Sequence, residues 1–296
     1  MAKDRGLTSR AANLPLPPGG GPQLKAFNRD SGDTIKWIKR LDPDREGNDG
    51  FVFQVEIGSK EYALKVFKFS HPRLNRFYRD LILKNNLAIE EGMWYTDPFY
   101  AECRAYGRIQ EGFESRRVTE QTAVKCYGYL LLNKNEASWL RRESIDLNHQ
   151  LLDRELREAL GGDIRVRAIV KEFEKGPSKI HAGNIRRAWR SVYLINSLKL
   201  YNMDIKADNF IGHKLVDFGT SWTEPHKLLD YLEESGNFIA GSFRFKDKAN
   251  FEDMIEEEEI PTRLRVLETS EYQLRSKGKP EWAGRELPKR RRIASK

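Results

Sequence analysis

Cysteine is scarce in this 296-residue chain, which has Cys103 and Cys126 and no others. Two thiols cannot staple a disulfide scaffold, and so low a count fits a reducing compartment. Long apolar runs are missing as well. None approaches the roughly 18 residues that a membrane-spanning helix needs, so no membrane partner is expected. The opening MAKDRGLTSRAANLPLPPGGG carries positive charge without an apolar stretch, and it is not expected to act as a secretory signal. Charge, by contrast, is abundant. Charged residues make up 32% of the chain and hydrophobic ones 39%, a balance that suits a real core under a well-solvated surface.

The formal charge of +8 is unevenly placed. Residues 1–29 hold five basic side chains and one acidic, and residues 271–296 hold nine basic and three acidic, so the basic character belongs to the two ends. A nucleic-acid protein would more often show a basic face with interleaved aromatics on its folded body. No sequence-specific nucleic-acid binding is therefore expected. Pro15, Pro17, Pro18 and the Gly19–Gly21 run, with little apolar periodicity, predict a disordered basic arm over 1–29. A single domain over 30–260 follows, then a basic C-terminal tail over 261–296. Within that tail, Lys289-Arg290-Arg291-Arg292 reads equally as a nuclear-import signal or as an ordinary exposed basic end.

Between the ends, the pattern is first of strands and later of helices. Strand signals begin after Thr34, continue through EGNDGFVFQVEI, and resume beyond a Gly58-Ser59 turn in EYALKVFKF, which together make a hairpin. Residues 70–96 read as a basic and aromatic insertion with helical stretches. In DPFYAECRAYGRIQ, Asp97 can cap a helix and Pro98 can start it, with Phe99, Cys103 and Tyr106 on one face. Two more strands are expected at Val124–Leu132 and Ile164–Phe173. The charged segment between them should be helical and end at Gly161-Gly162. Ile185, Ala188, Val192 and Ile195 mark a helix over Asn184–Leu200 whose stripe is core packing. Lys227–Glu234 and Asn250–Glu259 suggest two further helices, the second ending in a solvated acidic run, and His226 is expected at the surface where the first begins.

The residues with chemistry in them gather in YNMDIKADNFIGHKLVDFGT, Tyr201–Thr220. Asp204, Lys206 and Asn209 share a short loop, and Asp217-Phe218-Gly219 follows the next apolar run. Upstream, Asn-Asp-Gly precedes a strand that contains Ala63-Leu64-Lys65-Val66. A lysine within an apolar strand needs a partner or an outward path, because a buried unpaired ammonium is costly. Glu102 lies beside the apolar face of its helix, where it could meet Lys65 or face solvent.

In order and spacing these residues resemble the protein-kinase-like fold across about 34–235. The resemblance implies an α+β, bilobal protein, with a small β-rich N-lobe over about 30–173 and a reduced, mainly helical C-lobe over about 174–260. It implies ATP and Mg2+ as cofactors. Asp204 and Lys206 would be catalytic. Gly47, Gly50, Lys65, Glu102 and Glu172 would surround the nucleotide, and Asn209 and Asp217 would hold the metal through hard oxygen ligands. Several strings, among them DPFYAECRAYGRI, IVKEF and KLVDFGTSWTEPH, also resemble a fungal kinase-like family that includes the Fta-type subunit of the Sim inner-kinetochore complex. For such members a nuclear location at the kinetochore is implied; a cytoplasmic one remains the alternative.

The chain departs from the kinase pattern in several places. Arg45 stands where the first glycine would be, Lys171 takes the position that gates the adenine pocket unless the strand slips by one, and Met203 precedes Asp204. No Ala-Pro-Glu follows Gly219. Three expectations result: an ATP- and magnesium-dependent phosphotransferase of Ser/Thr type acting on a protein substrate, a pseudokinase-like interaction subunit with kinetochore or chromatin partners, or a small-molecule kinase of the aminoglycoside-kinase type.

Overall fold

Alternating apolar side chains in GFVFQVEI and KEYALKVF make two strands, β2 (Gly50–Ile57) and β3 (Lys60–Phe67), that pair antiparallel across the Gly58-Ser59 turn. Gly58 turns the corner at φ +62°, a left-handed backbone that favours glycine. The structure is a computed structural model that describes residues 16–17, 19–30, 32–42, 49–162, 164–175, 179–234 and 240–268. Strand β1 (Ile35–Arg40) pairs with β2, while β4 (Cys126–Leu131) and β5 (Arg167–Glu172) extend the other side. The resulting antiparallel sheet has the order β1-β2-β3-β5-β4. Register places Lys65 opposite Ile169 and Ala63 opposite Lys171, so both lysines project from one face of the sheet.

Both faces are covered. On the face opposite the lysines, Phe53, Val55, Leu64 and Val66 are almost fully buried. Helix α4 (Lys134–Arg142), started by an Asn133/Glu136 capping box, lies there, and its Trp139 stacks on Trp37 at 4.6 Å and meets Phe53 edge-on. The charged segment before Gly161-Gly162 thus acts as a lid on the sheet and closes with the short helix α5 (Arg154–Ala159). On the lysine face lies α3 (Pro98–Glu114). Asp97 caps it by accepting from Phe99 N at 2.9 Å and is itself fixed by Arg167 at 3.0 Å and Ser70 Oγ at 2.8 Å. Helices α1 (Arg76–Lys84) and α2 (Ile89–Thr96) lead into it.

Beyond the sheet, α6 (Ile185–Ser197) buries Ile185, Ala188, Val192 and Ile195, the stripe expected of it. Four two-residue strands follow: β6 (Leu200–Tyr201) pairs with β9 (Trp222–Thr223), and β7 (Phe210–Ile211) with β8 (Lys214–Leu215). Helices α7 (Lys227–Glu234) and α8 (Ala240–Glu257) complete a mixed α+β structure with eight helices among the described residues. Helix α8 starts ten residues before the expected position, and the Glu256–Glu259 run at its end is exposed.

Three expectations need correction. Residues 16–17 and 19–29, read as part of a disordered arm, form a packed strap. Leu24 N donates to Cys103 O at 3.1 Å and Phe27 N to Tyr129 O at 2.7 Å, and Leu16, Leu24 and Phe27 are buried. Glycines make the approach feasible: a methyl group at Gly107 would stand 2.7 Å from the Gln23 carbonyl carbon, and one at Gly128 2.5 Å from Phe27 N. His226 is buried, not a surface residue, because its ring stacks on Trp222 at 4.4 Å and meets Tyr95 at 4.7 Å. At the other end, residues 261–268 are not free tail: Leu267 is buried and its N–H donates to Glu252 Oε1 at 3.4 Å. Residues 1–15 and the remaining tail, with Lys289–Arg292, lie outside the described residues.

Candidate functional site

The second lysine-bearing strand decides the electrostatics of the site. Lys65 Nζ donates to Glu102 of α3 and, at 2.7 Å, to Asp217 Oδ1. Lys171, from the adjacent β5, reaches the same glutamate: its Nζ lies 2.7 Å from Glu102 Oε2 and 2.7 Å from Val216 O. Lys171 therefore points inward, and the strand has not slipped. Its ammonium sits 5.1 Å from the centre of the Tyr106 ring, which in turn packs edge-on against Phe218. Burial acts to lower the pKa of Lys65, but the charges of Asp217, Glu102 and Asp49 outweigh it and raise the value. Asp217 is treated in reverse. Burial acts to raise its pKa, while Lys65 and Lys171 outweigh burial and hold it well below the usual carboxylate range.

The loop with Asp204 is held from below by a residue that no local pattern exposes. Asp247 of α8, fully buried, accepts from Asn202 N at 2.9 Å, Met203 N at 2.8 Å and Asn196 Nδ2 at 2.8 Å. Burial pushes its carboxyl up to about 6, against the hydrogen bonds that favour the charged form. These bonds hold Met203 at φ +69°, a conformation unusual for a side chain with a Cβ. Asp204 then meets Lys206 Nζ at 2.5 Å and Asn209 Nδ2 at 3.0 Å. Asn202 Nδ2 donates to Asp217 O at 2.7 Å and Val216 N to Asn209 O at 3.0 Å, so the two loops form one unit. Lys65, Glu102, Asp204, Lys206, Asn209 and Asp217 are thus brought to one region.

The remaining expected positions lie as follows. Gly47 is outside the described residues. Gly50 opens β2, where a methyl group would stand 2.1 Å from Val66 O, so sheet packing alone demands glycine there. Glu172 accepts from Tyr127 Oη at 3.4 Å. Asp49 and Asp247 were missed by sequence reasoning. Asp49 follows directly in the Asn-Asp-Gly stretch and reads there as a turn residue. In the structure it is partly buried, and its carboxyl is raised to about 6 by burial, with Lys65 acting in the opposite sense and Asp217, Glu102 and Asp204 adding to the rise. Asp247 has no spacing signal at all, since its partners lie more than forty residues away.

A profile of the family kinetochore Sim4 complex subunit FTA2 matches residues 12–222. The chain belongs to that family. The matched span runs from before the strap to the first residue of β9 and includes every expected site residue. A comparison with curated proteins gave no match.

Proposed function

We propose that this chain is a kinetochore subunit that works by binding other proteins through a protein-kinase-like, bilobal body. The observation that carries this reading is membership of the kinetochore Sim4 complex subunit FTA2 family over residues 12–222. Support for the bilobal body comes from the sheet order, from α3 with Glu102 against that sheet, and from the linked loops at Asp204 and Asp217. The family implies a nuclear location at the kinetochore. Among the described residues no helix is long and apolar enough to cross a membrane.

A subunit of this kind needs the cleft as structure. Two buried ammonium groups and the carboxylates around them neutralise one another, which ties α3 of the sheet layer to the Asp217 loop. ATP and magnesium belong to a second reading, phosphotransfer, favoured by the convergence of Asp204, Lys206, Asn209 and Asp217. The metal ligands fit in part: Asn209 and Asp217 each keep an oxygen that can turn to a cation. Lys65 offers a triphosphate no unpaired cation as the side chains stand, since Glu102 and Asp217 already bond that ammonium and the Asp49 charge lies near it. The small-molecule-kinase reading rests on the missing Ala-Pro-Glu after Gly219 alone.

Fluorescent tagging of the chain in its own cells tests the main reading. It predicts foci that coincide with centromeres, retained when Asp204→Ala is introduced. Diffuse cytoplasmic signal would contradict it, as would magnesium-dependent ATP turnover that Asp204→Ala abolishes.

A further inference from the structure

The carboxylate of Asp49 lies where the cleft would need a cation or open space. Its backbone is fixed, because Lys68 N donates to Asp49 O at 3.0 Å, one residue before β2 begins. The side chain turns toward the Asp217 loop. A methyl group at Gly219 would stand 2.6 Å from Asp49 Oδ2 and 3.4 Å from Asp217 Oδ1. Glycine at 219 thus leaves just enough room for the Asp49 carboxylate. Lys65, Glu102, Asp217 and Asp204 all lie within electrostatic range of it. Lys65 and Lys171 are already balanced by Glu102 and Asp217, so the Asp49 carboxylate is a surplus negative charge that a polyanion would meet.

We infer that Asp49 is an internal acidic plug: its carboxylate takes the phosphate position beside Lys65 and Gly219 and keeps nucleotide phosphates out of the cleft. The inference rests on the kinase-like reading of the cleft given above. A triphosphate approaching Lys65 meets a fixed negative charge and a filled volume together. The neighbouring space does not invite the carboxylate away: the pocket of about 180 Å3 that Asp49 also lines is largely apolar, with Phe69, Leu74, Pro98 and Leu151 among its walls. Specificity is then set by a residue that repels the wrong ligand, not by the loss of the residues that would bind it.

The test is calorimetric titration of the full chain with Mg·ATP, for wild type, Asp49→Asn, and Asp80→Asn. Asp49→Asn keeps the shape and removes the charge. Asp80 is exposed on α1, so its change alters net charge equally without touching the cleft. Thermal melting of each free variant shows that it is folded. The plug predicts that Asp49→Asn binds at least about tenfold more tightly than wild type, and that Asp80→Asn does not. Equal binding by wild type and Asp49→Asn overturns the plug while leaving the cleft as a nucleotide site. Binding by neither overturns the plug and the nucleotide-cleft reading together, and leaves the kinetochore assignment, which rests on centromeric foci, untouched.

Discussion

Glu102 is the residue on which two buried lysines depend. Truncation to alanine leaves Lys65 with Asp217 and strips Lys171 of its carboxylate, in a place where a buried, unpaired charge is expensive. Glu102→Ala should lose about 3–5 kcal/mol of stability, read from denaturant unfolding. A loss below about 1 kcal/mol would mean the charges are solvated. Asp247 makes a second such case. Its removal leaves the N–H groups of Asn202 and Met203 without an acceptor, so Asp247→Ala should cost on the order of 3 kcal/mol and release the strained backbone at Met203. Burial first, and the nearby Arg104 next, hold His226 well below the ordinary 6.5. An unfolded chain takes up that proton near pH 6.5 while the folded ring stays neutral, so stability should fall as pH drops below 6.5. Asp247, with its carboxyl raised to about 6, gives the opposite slope between its ordinary 3.8 and 6. The difference between wild type and His226→Leu isolates the histidine: the gap in favour of the wild type should shrink on acidification. A pH-independent difference would contradict the burial of a neutral ring.

At the scale of elements, the strap and α3 form a unit. Leu24 adds apolar area against the helix that carries Glu102, while Phe27 meets Tyr62 of β3 edge-on at 5.5 Å, each contributing roughly 1.5–3 kcal/mol if fully buried. Gly107→Ala puts a carbon 2.7 Å from the strap backbone at Gln23, where no flexible side chain can move aside. It should cost about 1–3 kcal/mol, and hydrogen exchange at Leu24 and through α3 should quicken. Unchanged exchange at Leu24 would show that the strap does not need that close approach. These elements also divide what the sequence discloses from what it hides. The β2–β3 hairpin, the capped start of α3 and the stripe of α6 were legible, because period and capping are local signals. The strap was not, because its order comes from backbone bonds to Cys103 and Tyr129 and from glycines far along the chain. The inward turn of Lys171 was one of two readings left open by the sequence, and the register of β5 against β3 and a glutamate 69 residues away decide it. The grouping of Asp204, Lys206, Asn209 and Asp217 was legible from spacing. The carboxylates that hold or obstruct that group, Asp247 and Asp49, were not.

For the whole molecule, family membership carries the functional reading. The mixed α+β body is closed on both faces of its sheet, and its buried ammonium groups are paired with carboxylates. The family match covers the strap, the sheet and the linked loops together. Replacing the cellular copy with an Asp204→Asn variant, and scoring chromosome segregation alongside kinetochore assembly, separates binding from catalysis most directly. A subunit that works by binding predicts normal segregation and an intact assembly. Segregation that fails as badly as in cells without the protein, while the variant is folded and present at centromeres, would contradict it.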